Sequence, residues 1–157
     1  MIALPKTDLK MKPSKKDLHI IDLLRKSVAT GNPYLDLSYE RLGDAGVLFL
    51  ARMQDLSHIT QLNLSWNEVT CKGVEALAQC ISLTGLTNLI LDANEIGNEG
   101  MYAIARSKML SGLKIISLTK NRIGDSGALA LIKSTNLRQL STLDLELNQV
   151  GKERLTK

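Results

Sequence analysis

Two histidines, His19 and His58, and two cysteines, Cys71 and Cys80, are the residues of this sequence best suited to nucleophilic or general-base chemistry. Four carboxylates, Asp36, Asp92, Asp144 and Glu146, are those best suited to paired acid-base work or to a metal ion. Nucleophilic catalysis needs a nucleophile, a base and an orienting group within hydrogen-bond reach of one another. Neither histidine shares a column with a cysteine once the sequence is written out at its own period, so no cysteine-histidine pair is expected. Asp36 and Asp92 fall on strands two periods apart, roughly 10 Å at the usual strand spacing. Asp144 and Glu146 share a strand but have no histidine near them. Phosphate-loop and zinc-ligand spacings are absent. The expectation is therefore no enzyme activity, no cofactor and no metal.

The elements that position these side chains follow from a repeat of 27 residues. Leu35-Asp-Leu37-Ser-Tyr-Glu40-Arg-Leu42 aligns with the segments beginning at Leu62, Leu89, Ile116 and Leu143, and the column of Glu40, Asn67, Asn94, Asn121 and Asn148 never slips. Alternating aliphatics at 35/37, 62/64, 89/91, 116/118 and 143/145 read as strands with one buried face. Apolar stripes at helical spacing predict helices over 46–56, 73–83, 100–110 and 127–137. Asp44, Asn98 and Asp125 stand just ahead of those stripes as N-cap candidates, with Thr70 capping where Cys71 interrupts the column. The second glycine column, Gly46, Gly73, Gly100 and Gly127, suits a close backbone approach or an unusual torsion. The asparagines read as a ladder bonding the backbone of their own unit and the next.

Around this core the sequence suggests a basic flexible tail over 1–16 and a capping helix over 17–31. Five repeats follow over 32–151, the last incomplete, with a C-terminal tail or short cap over 152–157. In the capping helix Leu18, Ile21, Leu24 and Val28 form the expected buried stripe, with His19 beside it. At 44% hydrophobic and 23% charged the chain has the make-up of a folded domain. Its net charge of +4 matches the surplus of Lys6, Lys10, Lys12, Lys15 and Lys16 over Asp8, leaving the rest balanced. Two cysteines make no disulfide framework, which fits a cytoplasmic setting. No apolar run reaches the roughly 20 residues that span a bilayer, and no secretory signal is evident.

The unit Leu113-Lys-Ile-Ile-Ser-Leu-Thr-Lys-Asn-Arg-Ile-Gly124 resembles the leucine-rich repeat family, and among its subfamilies the ribonuclease-inhibitor-like type with convex helices. The resemblance covers 32–151. It implies an α/β, right-handed solenoid with a parallel sheet on the concave side, and recognition of proteins through concave residues or the adjoining turns. The glycine pattern also resembles repeat domains that host-associated bacteria deliver into eukaryotic cells, which implies a secreted effector acting in a host cytosol. Some relatives stimulate small GTPases, so edge residues Arg41, Lys120 and Arg122 carry an alternative role as a GTPase regulator.

Candidate partner-binding residues are Tyr34, Asp36, Asn63, Asp92, Asp144 and Glu146 on the concave strands, with Tyr39, Trp66 and Lys120 at the edge before the loops. The concave columns contain four acids and no lysine or arginine, which suits a partner with a basic contact surface and disfavours specific nucleic-acid binding. Tyrosine and tryptophan supply interface area at low entropic cost; the competing expectation is that Trp66 folds down to seal the end of the core. The last strand is an edge through which two copies could pair.

Overall fold

The computed structural model describes residues 14–54 and 56–151. The expectations for 1–13 and 152–157 lie outside the described residues. Five short strands, β1 (Tyr34–Asp36), β2 (Gln61–Asn63), β3 (Asn88–Ile90), β4 (Ile115–Ser117) and β5 (Thr142–Asp144), form one sheet in chain order. All neighbours are parallel and in one register, Leu35 beside Leu62, Leu62 beside Leu89, Leu89 beside Ile116 and Ile116 beside Leu143. Helix α1 (Lys15–Thr30) precedes the sheet, and α2 (Gly43–Ala51), α3 (Cys71–Ala78), α4 (Gly97–Arg106) and α5 (Asp125–Ile132) alternate with its strands. One strand and one helix per coil make an α/β solenoid in which each unit buries its apolar face against its neighbours. Leu37, Leu64, Leu91 and Leu118 are wholly buried, each contributing about 2 kcal/mol through burial. Their counterpart in the last unit, Leu145, is only partly covered.

The helices begin two or three residues earlier than the apolar spacing predicts and end four or five residues earlier. Met53, Leu56, Leu83, Leu110 and Leu137 are buried without being helical, so the apolar period runs on into the turns that descend to the next strand. Carbonyls freed there are taken up by the following unit. The hydroxyls of Ser82, Ser107 and Ser134 donate to Met53 O, Ala78 O and Ala105 O at 2.7, 2.6 and 2.7 Å.

The capping column works between units instead of within them. Asp44, Asn98 and Asp125 already lie inside the first turn of their own helices. Asp44 Oδ1 accepts the amides of Thr70 and Gly73 at 2.8 and 2.9 Å, the N-cap and N3 positions of α3. Asn98 Oδ1 accepts those of Gly124 and Gly127 at 2.8 and 3.2 Å, and Asp125 Oδ1 accepts Gly151 N at 2.8 Å. Each side chain thus satisfies the orphan amides of the next coil. Thr70 does cap its own helix, accepting Lys72 N at 3.3 Å. Two of the second-column glycines make room for this device. A Cβ on Gly73 would lie 2.7 Å from Asp44 Oδ1, and one on Gly127 would lie 2.5 Å from Asn98 Oδ1.

The asparagine ladder reaches back to the preceding unit, where the sequence suggested the following one. Asn67 Oδ1 accepts Glu40 N and Leu42 N, each at 3.1 Å, while its Nδ2 donates to Leu37 O at 2.7 Å. Asn94 does the same for Asn67 N, Val69 N and Leu64 O, and Asn148 for Asn121 N, Ile123 N and Leu118 O. Glu40 heads the column with no repeat unit before it to bond.

Successive turns alternate in form. Gly43 and Gly97 have φ of 58° and 63° and donate forward to Asn67 O and Asn121 O. At the other two junctions the bond runs backward, from Glu95 N to Val69 O and from Gln149 N to Ile123 O. The bond between successive turns therefore alternates in direction from one junction to the next, although the side chains repeat in every unit.

At the amino-terminal end α1 takes in Lys15 and Lys16, which the sequence placed in the tail. Ser14 and Asp17 form a capping box, and Gly31 ends the helix at φ 66°. Ile21 and Leu24 are buried as expected, but Ile20 and Ser27 complete the buried face in place of Leu18 and Val28, which are 53% and 46% exposed. The rotation comes from polar anchoring: Ser27 Oγ donates to Asn32 O at 2.5 Å and meets His58 Nε2 at 3.3 Å, and exposed His19 Nε2 lies 3.1 Å from Glu40.

Candidate functional site

Eight non-glycine residues among those described hold φ between 49° and 62°: Tyr39, Arg41, Trp66, Glu68, Ala93, Lys120, Arg122 and Leu147. They occupy two columns flanking the asparagine position at the turn after each strand, the first filled in all five units and the second at Arg41, Glu68 and Arg122. The left-handed conformation costs an ordinary residue about 1 kcal/mol, and glycine or asparagine would fill it at less expense. The strand-to-helix turn takes this torsion in every unit at the first column, and the chain fills it with large side chains in every unit but that of Ala93.

Those side chains assemble into a strip. The Tyr39 and Trp66 rings stack with centroids 5.6 Å apart and planes 11° from parallel. Ala93 follows in the next unit, and its small side chain lets Lys120 reach back so that Nζ lies 4.9 Å from the Trp66 centroid. Tryptophan thus stands between an aromatic neighbour and a cation, a favourable placement for both. Tyr39 is 69% and Trp66 45% exposed, so the rings do not seal the core. Leu147, exposed, continues the strip, and Arg122 Nη1 meets Glu95 Oε2 at 3.1 Å in the second column. Together these residues line a shallow open groove.

Tyr34 stands apart from that pair, at the start of β1, where its hydroxyl accepts Asn63 Nδ2 at 3.3 Å. The concave polar residues carry structural duties as well. Asp36 Oδ1, Asn63 Oδ1 and Asp144 Oδ1 accept the amides two residues on, Ser38 N, Ser65 N and Glu146 N, at 3.0, 3.0 and 2.9 Å. Asp92 Oδ1 instead reaches the next unit, accepting Ser117 Oγ at 2.7 Å and Thr119 N at 2.9 Å. Each of these carboxylates bonds through Oδ1, so the acids brace the strand ends while giving the concave columns their negative charge. Glu146 is exposed at the end of this row.

The catalytic candidates do not converge. His19 and His58 both sit at the junction of α1 with the first unit, engaged with Glu40 and Ser27, while Cys80 is buried on the helix side and Cys71 opens α3. Among the described residues no group of three His, Cys, Asp or Glu side chains is placed to hold a metal ion. Their helices include none long and apolar enough to cross a membrane.

One parallel strand and one helix per 27-residue coil, with a column of asparagines bonding successive coils, fit an α/β leucine-rich repeat solenoid. The family model described as Leucine Rich repeat matches residues 55–78, 82–105 and 113–131, three successive coils, and supports assignment as a leucine-rich repeat protein. No curated protein matches the chain.

The sequence singled out Tyr39, Trp66 and Lys120 by column and by residue type, and the structure brings these three together. It did not reveal the contact of Lys120 with Trp66 or the Arg122–Glu95 pair. The available signal was Ala93, the small residue that opens the path between Trp66 and Lys120.

Proposed function

We propose that this chain is a non-enzymatic protein-binding module whose partner meets the Tyr39–Trp66–Lys120 strip and the acidic concave strands beside it. The single observation carrying this reading is the strip itself: two stacked, solvent-facing aromatic rings and a lysine on positions that the fold holds in a left-handed torsion. Exposed aromatic clusters of this kind serve as anchors in protein interfaces. Leucine-rich repeats act generally as binding scaffolds, which supports the same conclusion. Asp36, Asp92, Asp144 and Glu146 favour a basic contact surface on the partner. The GTPase-regulating alternative draws less support, because Lys120 is engaged with Trp66 and Arg122 with Glu95. The edge of β5, which no strand among the described residues pairs, is flanked by the partly covered Leu143 and Leu145 and is a further place where a second copy can add a strand.

The test is affinity capture with the whole chain and with the double variant Y39A/W66A, alongside circular dichroism. Capture of the same protein should fall by at least about tenfold, with the far-ultraviolet spectrum unchanged. Equal capture by both proteins would remove the strip from the interface.

A further inference from the structure

In a repeat protein the units serve as controls for one another: what the scaffold needs at a position recurs, and what appears in one unit alone has another cause. On the convex side such departures gather in the groove between α3 and α4. Ile81 is 78% exposed, and its counterparts are Gln54, Lys108 and Thr135. Met109 is 37% exposed, where the other units carry Asp55, Ser82 and Asn136. Cys71, in place of the capping Asp or Asn of the other units, lines the same groove, which has a volume of about 760 Å³. None of these residues is needed to build the coil.

The groove is also electrically polarised along its length. Glu99 lies in the first turn of α4 and Glu75 on the facing side of α3. At the other end Arg106 closes α4 with its guanidinium 6.0 Å from the Tyr102 ring centroid, and Lys108 follows. Acid thus precedes base along α4, and α3 adds Glu75 as its one charged residue in the groove lining.

We propose that this groove is a second docking surface, distinct from the edge strip, and that it receives one amphipathic α-helix of a partner protein running antiparallel to α3 and α4. A helix ordinarily carries acids in its first turn and bases in its last, complementing its own dipole. Laid antiparallel, its acidic first turn meets Arg106 and Lys108 and its basic last turn meets Glu99 and Glu75. The ridge of a third helix fits the furrow between two packed ones, and an apolar stripe on it covers Ile81 and Met109. Helix α4, at 10 residues, is about 15 Å long, which matches roughly three turns of the incoming helix.

Two synthetic peptides test this with the full chain. Both carry one leucine stripe and a side-chain staple that equalises their helicity; one has an acidic first turn and a basic last turn, the other has these charges exchanged. Fluorescence anisotropy should show the first binding about tenfold more tightly. I81K or M109K should weaken it by a similar factor without shifting the melting temperature, and the fourfold exchange E75K/E99K/R106E/K108E should reverse the preference. Y39A/W66A should leave this binding unchanged, so failure here is separable from failure of the edge strip. Equal affinity for the two peptides, indifference to I81K, or loss of binding in Y39A/W66A would overturn the proposal.

Discussion

Replacing Asp44 with alanine removes the side chain that joins the first coil to the helix of the second. Three bonds disappear together: Oδ1 to Thr70 N at 2.8 Å, Oδ1 to Gly73 N at 2.9 Å and Oδ2 to Thr70 Oγ1 at 2.7 Å. The two amides are the N-cap and N3 donors of α3, and no side chain of their own helix is bonded to them. Loss of a helix cap costs about 0.5–2 kcal/mol, and a charged acceptor serving two donors in a half-buried seam belongs at the upper end. We expect a loss of about 2 kcal/mol, or a fall in melting temperature of about 4–8 °C for a chain of this size. D44N separates bond geometry from charge. Asn98 performs the same task two units later with an amide oxygen, so D44N should retain most of the stability. Thermal and urea unfolding followed by circular dichroism measure both. If D44A lies within about 0.5 kcal/mol of the parent, the capping between coils is not a source of stability. If D44N is as damaging as D44A, charge and not the paired bonds is the cause.

Two further outcomes follow from the same seams. N94A strips a buried side chain that accepts Asn67 N and Val69 N and donates to Leu64 O, and it should cost about 3 kcal/mol in urea unfolding, whereas N148A in the half-buried last unit should cost about half as much. G127A sets a Cβ against Asn98 Oδ1 and should lower stability by about 1–3 kcal/mol in the same assay, an effect that the double variant N98A/G127A should show reduced.

Much of the fold was written in columns. The aliphatic pairs ending in Leu37, Leu64, Leu91 and Leu118 specified strands with one buried face, and the unbroken spacing of the asparagines specified coils stacked in register. Helix ends were less legible because Met53, Leu83 and Leu110 keep the apolar period going after the helix has stopped. A capping residue reads as belonging to the helix that follows it closely in sequence, yet Asp44 acts on Thr70 and Gly73, and only the stacked coil brings those amides near. In α1 apolar spacing named Leu18 and Val28, but the contacts of Ser27 with Asn32 and His58 turned the helix onto Ile20 instead.

The sequence alone determined the repeat length, the parallel α/β solenoid and the residues of the edge columns. It could do so because a period in residue type becomes a period in space when every coil buries the same face. Only the tertiary structure decided which columns bond across coils, that the bonds between successive turns alternate in direction, and that Lys120 crosses over Ala93 to Trp66. Those outcomes depend on distances between residues of different coils, set by the stacking of backbones about 4.8 Å apart, and a list of residue types carries no such distances.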